Sequence, residues 1–361
     1  MTPLQKLHDL GQSIWIDNIT RDMLDSGELS RYLSDFSVTG LTSNPTIFEK
    51  ALSKSSAYDE AIAEGLAAGR TGEELFLDLA LADLKRAADL FQPIHERTSG
   101  VDGWVSLEVS PLLAYETNAS LKMAKVLFAR GERNNLHIKI PGTKEGLPAI
   151  EEATFAGVPI NITLLFSREH YLAAADAWLR GIERRIEKGL DPDVRSVASL
   201  FVSRWDRAVA DDVPSELKNT LGIAVAGRTY AAARELHDSP RWRRALNAGA
   251  RLQRVLWAST GTKDPDASDV LYPEALATPY TVNTMPQETL HAFADHGKVG
   301  EPMPRDGGDC EEVLAAHAKA GIDVDAVAAK LQKDGAKSFS DSWKQLLERL
   351  EEKEHEVQKA S

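Results

Sequence analysis

Apolar and β-branched residues gather in eight short runs, separated by amphipathic stretches of helical period. The runs are SIWIDN (13–18), FSVTGLTS (36–43), WVSLEVS (104–110), LHIKIPGT (136–143), PINITLLF (159–166), VRSVASLFVS (194–203), RVLWAST (254–260) and YTVNTMP (280–286). Their length and composition predict buried strands. Between them, Leu77, Leu81, Leu84, Ala88 and Phe91 share one helix face. SREHYLAAADAWLRGIERRIEKG (167–189) behaves alike after the fifth run, and a mostly helical segment follows the sixth.

Strand–helix alternation repeated eight times predicts an α/β fold, the (β/α)8 or TIM barrel, with additional helices. A doubly wound open sheet would carry a glycine-rich phosphate loop after its first strand, and IDNITRD contains no glycine. Near the C-terminus, Phe339, Trp343, Leu346 and Leu350 predict one more helix packed on the barrel over 338–358, with the acidic run ERLEEKEHE as its solvated face. No low-complexity linker interrupts the chain, so residues 1–361 are read as a single domain.

Residues two apart on a strand share a face. In HIKI the isoleucines at 138 and 140 suit the helix layer, which turns His137 and Lys139 inward. Lys139 is the only lysine in the eight runs. Polar residues cluster near the C-terminal ends of the others: Asp17 in the first, Thr42 and Asn44 at the second, Glu108 in the third, Asn161 and Thr163 in the fifth, Ser199 in the sixth. Taken singly, each reads as a helix cap, a turn former or an ordinary strand hydroxyl. Together they lie at the end of a barrel where active sites are built.

Composition narrows the partners. The formal net charge of −13 argues against nucleic acid and anionic membranes, while a few local cations suffice for a small phosphorylated substrate. One cysteine, Cys310, cannot form an internal disulfide, which suits a reducing cytoplasm. The first residues lack the pattern of a secretory signal, and no apolar stretch is long enough to span a membrane.

A lysine inside a barrel needs a reason, because burying a charge is costly. It could snorkel to water or pair with Glu108 or Asp17. A mid-strand position disfavours the first, and the second leaves the surrounding Asn, Thr and Ser unexplained. Desolvation and neighbouring charge can also make an amine nucleophilic, so that it attacks a ketone and forms a Schiff base. The iminium then draws electrons from the adjacent carbon, and a carbon–carbon bond can break. A carboxylate must take the proton of the departing fragment, and Asp17 and Glu108 are candidates.

GLTSNPTIF (40–48) and IKIPGTKEGL (138–147) resemble the two signature segments of transaldolases, and IDN, SLEVS, INITLLFS and SLFVSR fall in that family's order from about residue 11 to 206. The resemblance implies a class I aldolase-type barrel of the pentose phosphate pathway. It would convert sedoheptulose 7-phosphate and glyceraldehyde 3-phosphate to erythrose 4-phosphate and fructose 6-phosphate without cofactor or metal, as a monomer or homodimer. It makes Lys139 the Schiff-base lysine and Asp17 the acid/base for the C4 hydroxyl. Glu108 would shuttle protons through a water held also by Thr163. Asn44, Asn161 and Ser199 would hold the dihydroxyacetone hydroxyls, Thr42 would support Asp17 or the lysine, and Arg204 would bind phosphate.

Two departures stand out. Leu41 replaces a smaller residue, a packing change. ASTGTKD (258–264) replaces an ASFR-like segment carrying a second phosphate-binding arginine, so Lys263, with Ser259, is the candidate substitute. The related fructose-6-phosphate aldolases, which release free dihydroxyacetone, are shorter and carry Gln and Tyr where this chain has Glu108 and Phe201. An inactive sugar-phosphate-binding barrel is a rival from another class, disfavoured because both carboxylates and the hydroxyl binders accompany the lysine. The nine histidines show no metal-site spacing, and His137 is read as a hydrogen-bonded core residue. DPDASD (264–269) lacks the Gly and Glu of a calcium loop and reads as a polar turn, and neither GTK is a phosphate loop.

Overall fold

The computed structural model describes residues 1–360. All eight predicted strands form: β1 (Gln12–Ile16), β2 (Val38–Thr42), β3 (Trp104–Glu108), β4 (Leu136–Pro141), β5 (Ile160–Leu165), β6 (Ser196–Phe201), β7 (Arg254–Ala258) and β8 (Thr281–Met285). Each pairs in parallel with the next, and β8 closes on β1. Helices fill the connections, as parallel crossovers require. The predicted helix face lies in a helix over Gly72–Arg97, where Leu77, Leu81, Leu84, Ala88 and Phe91 are buried.

The period-two pattern sorts side chains between two cores. Ile14, Ile16, Ile138, Ile140, Ile160 and Ile162 join the core under the helices, and Leu41 packs there too. Trp15, Trp104, Val197, Leu256 and Val282 belong to a second cluster, on the alternate strand positions that fill the barrel. Space inside is tight. A Cβ on Gly40 would come within 2.5 Å of Trp15 Nε1, which explains the glycine of the first signature segment. His137 stacks on Trp104, with ring centroids 4.0 Å apart, and neither ring nitrogen has a hydrogen-bond partner among the described residues. It is a core residue held by stacking, not by the expected hydrogen bonds.

The C-terminal helix is longer than the sequence pattern predicts: it spans Val324–Ala360, starting well before residue 338. Leu346 and Leu350 are fully buried. The acidic run is not purely a solvated face, because Glu354 is buried and its Oε1 accepts a hydrogen bond from the Gly72 backbone N–H at 2.9 Å. The helix packs along the helix Pro45–Lys54, where Thr46 Oγ1 lies 3.1 Å from Ser342 Oγ. It crosses the end of the barrel from which the C-terminal ends of the strands emerge.

Candidate active site

Lys139 stands in the middle of β4, and strand register fixes its neighbours: Glu108 is its partner on β3 and Asn161 on β5. The amine is buried, donating to Glu108 Oε2 at 3.1 Å and to the Ser43 carbonyl at 3.0 Å. It does not snorkel. The ion pair weighed from the sequence is therefore present, but it leaves Glu108 half used. Among the described residues, Glu108 Oε1 is buried without a hydrogen-bond partner, and so is Thr163 Oγ1. Burial raises the Glu108 pKa, Lys139 opposes that shift, and the charge of Asp17 adds to it.

Asp17 follows β1 directly, its backbone N–H donating to the Met285 carbonyl across the β8 seam at 2.8 Å. Thr42 Oγ1 donates to Asp17 Oδ1 at 2.7 Å and meets Thr284 Oγ1 at 2.8 Å. Asn44 does two jobs. Its Oδ1 caps the helix Pro45–Lys54 by accepting from the Ile47 N–H, and its Nδ2 faces the Asp17 carboxylate at 3.4 and 3.5 Å. Burial raises the Asp17 pKa, while Lys139, Thr42, Asn44 and Arg204 pull it back.

A cavity of about 360 Å³ opens over these groups, a size suited to a small-molecule site. Asp17, Thr42, Asn44, Lys139, Thr163, Ser199, Phe201, Arg204, Ser259 and Lys263 all line it. Glu108 touches Lys139 from behind. Asn161 lies beneath the wall, its Oδ1 accepting from Ser199 Oγ at 2.7 Å and its Nδ2 donating to Ser106 Oγ at 3.2 Å. Ser259 has a left-handed backbone, φ 55°, and its hydroxyl meets Ser203 Oγ at 2.8 Å, which ties the ends of β6 and β7 together.

Sequence reasoning missed several lining residues. Arg207 lies one helical turn beyond Arg204, and a spacing of three within SRWDR was its available signal. Lys50 lines the mouth from the helix after the first signature segment. Phe339, from the C-terminal helix, sets its ring 5.9 Å from Lys139 Nζ and 5.6 Å from the Arg204 guanidinium. Among the described residues, no group of three His, Cys, Asp or Glu is arranged to hold a metal ion. DPDASD forms a turn in which Asp264 Oδ1 accepts from the Asp266 N–H.

A closed eight-stranded parallel barrel with a buried amine beside a buried carboxylate, under a mouth lined by cations, has the architecture of a barrel enzyme with its site at the C-terminal ends of the strands. Comparison with known proteins gives the class its family. Residues 14–350 match the family model described as transaldolase/fructose-6-phosphate aldolase, and the chain belongs to that family. It is 43% identical to the transaldolase of Thermobifida fusca strain YX over 97% of both chains. It is 42% identical to that of Arthrobacter sp. strain FB24 over the full length of both. The transaldolase of Mycobacterium bovis BCG Pasteur is 42% identical, over 96% of this chain and 95% of the relative.

Proposed function

We propose that this chain is a transaldolase of the pentose phosphate pathway. It moves a dihydroxyacetone unit from sedoheptulose 7-phosphate to glyceraldehyde 3-phosphate, giving erythrose 4-phosphate and fructose 6-phosphate. The observation that carries the reading is the Lys139 amine, enclosed in the barrel at 3.1 Å from Glu108 and facing the same cavity as Asp17.

Lys139 Nζ adds to the ketose C2 carbonyl, and Glu108 takes up the proton it sheds. The two unpartnered oxygens, Glu108 Oε1 and Thr163 Oγ1, suit a water that carries protons as the carbinolamine loses its hydroxyl. Asp17 removes the C4 hydroxyl proton. The C3–C4 bond breaks, its electrons pass into the iminium, and an aldose phosphate leaves. A second aldose phosphate enters, and the steps run in reverse. Thr42 fixes Asp17, Asn44 and Ser199 hold the dihydroxyacetone hydroxyls with Asn161 behind Ser199, and Phe201 walls the site. Arg204, with Ser259 and Lys263, takes the phosphate, and its planar fork suits that ligand.

Release of free dihydroxyacetone, the aldolase alternative, is disfavoured by Glu108 and Phe201 and by the name the full-length relatives share. We further read residues 1–361 as one domain working in a reducing compartment, in keeping with the buried, unpaired Cys310. No helix among the described residues is long and apolar enough to cross a membrane.

The test is covalent trapping. Borohydride with fructose 6-phosphate should reduce an imine onto Lys139 alone, located by mass spectrometry. An adduct elsewhere, or none, overturns the mechanism. Turnover of fructose 6-phosphate should require erythrose 4-phosphate or another aldose phosphate, and turnover without one overturns the transfer reading.

A further inference from the structure

The roof of the active site comes from the last helix of the chain, beyond all eight strands. Gln332, Gly335 and Phe339 form a stripe along the C-terminal helix, at the spacing that places residues on one face. Each touches the catalytic end of the barrel. The Gln332 side-chain amide donates to the Gly142 carbonyl at 3.1 Å and to the Leu164 carbonyl at 3.0 Å, bridging the ends of the strands that carry Lys139 and Thr163. Leu164 has φ 59°, a conformation costly for a branched residue, and it sits where the β5–β6 register shifts. Gln332 therefore holds the carbonyl of Leu164, the residue that follows Thr163 in the chain.

Gly335 lets the helix come close. A Cβ there would lie 3.0 Å from Leu164 Cδ2 and 3.4 Å from Arg204 Nη1. One turn on, Phe339 is buried to 9% exposure and lies over both Lys139 and Arg204, with its ring 6.2 Å from that of Phe201. No polar side chain of this stripe points at the amine. The ring has no group that could take part in imine formation, but its bulk lines the cavity beside Lys139.

Between departure of one aldose and arrival of the next, the dihydroxyacetone unit is held on Lys139 as an enamine. It is lost if its carbon is protonated. The iminium so formed takes up one water, the carbon–nitrogen bond breaks, and free ketone and amine result. The net balance is enamine plus water to ketone plus amine. We propose that the Gln332–Gly335–Phe339 stripe is the positioning element that keeps bulk water and its protons from this intermediate, so that transfer outruns release. The proposal rests on the transaldolase reading and names what enforces it.

The experiment measures free dihydroxyacetone released per transfer event from fructose 6-phosphate and erythrose 4-phosphate, with borohydride trapping at Lys139 run in parallel. Phe339→Ala should keep the Lys139 adduct and raise the release-to-transfer ratio by about tenfold, equivalent to about 1.4 kcal/mol between the two barriers. Phe339→Leu, which keeps most of the bulk, should bring the ratio back toward that of the parent. Gly335→Ala, whose Cβ would crowd Leu164 Cδ2 and Arg204 Nη1 under the helix without removing the ring, should raise the ratio by a smaller factor and keeps the test open if Phe339→Ala misfolds. An unchanged ratio in a folded Phe339→Ala or Gly335→Ala variant that still traps at Lys139 overturns the proposal. A parent enzyme that never traps at Lys139 overturns the lysine mechanism, and this proposal with it.

Discussion

The two ends of the barrel use the same kinds of charged residue to opposite effect. At the N-terminal end, Asp102 sits among Arg254, at 3.2 Å, the Ser13 hydroxyl and His8. Arg254 also donates to Ser13 and to the Val101 carbonyl. Burial alone would raise the Asp102 pKa, yet Arg254, His8 and Ser13 together hold it below the ordinary range. At the C-terminal end, Asp17 and Glu108 are raised, and Glu108 Oε1 and Thr163 Oγ1 are left without partners. Arg254 is spent on its own chain, whereas among the described residues Arg204 has no carboxylate within ion-pairing distance. Charges whose bonding is complete stabilise a fold. Charges left incomplete under a cavity cost stability and wait for a ligand.

The comparison breaks most visibly at Asp17. Asp17→Asn should lower kcat by about 10²–10⁴-fold, the range for loss of a positioned acid/base, while borohydride still traps a sugar on Lys139. Next in size, Asp102→Ala leaves the Arg254 charge buried without its carboxylate. Denaturant unfolding should show a loss of about 3–5 kcal/mol, with kcat of the folded fraction unchanged. Lys263→Ala should raise KM for phosphorylated donors by roughly tenfold, as expected for losing a charged contact, and leave imine formation with free dihydroxyacetone intact. An unchanged KM would remove Lys263 from the phosphate site.

The smallest effects concern pH. Thr42 lowers the Asp17 pKa by donating to its carboxylate, so Thr42→Ala should move the acid limb of the kcat/KM profile to higher pH. Stability should separate the two aspartates by sign. A folded-state pKa raised above the unfolded value means that ionised Asp17 destabilises, so Asp17→Asn should gain stability at neutral pH and lose that gain as pH falls through the carboxylate range. Asp102, held low, contributes stability above its unfolded pKa. Asp102→Asn should therefore be most costly at neutral pH and least costly in acid.

Local pattern carried the barrel a long way. Strand composition located all eight strands, and inward alternation put Lys139 inside, because both depend on neighbours two to four residues off. The catalytic end was legible for the same reason: strand ends are marked in the chain. The roof was not. Periodicity shows that Phe339 lies on an apolar face, but no local rule says that the face meets a lysine two hundred residues earlier. The helix also begins before the predicted boundary, since Gly335 and the charged KDGAK segment weaken the local signal while Gln332 and Ala336 find tertiary partners. Arg207 and Lys50 were overlooked because exposed cations on helices are ordinary. Only the cavity gives them meaning. His137 failed differently, since composition cannot tell an imidazole held by stacking from one held by hydrogen bonds.

The last strand ends at Met285, whereas the ring over Lys139 comes from residue 339. During synthesis, which runs from the N-terminus, every stave of the barrel has been made before its cover exists. A nascent or clipped chain lacking the final helix would lack the ring over Lys139. On the proposal made above, the last segment made is thus the one that lets the barrel hand sugars on.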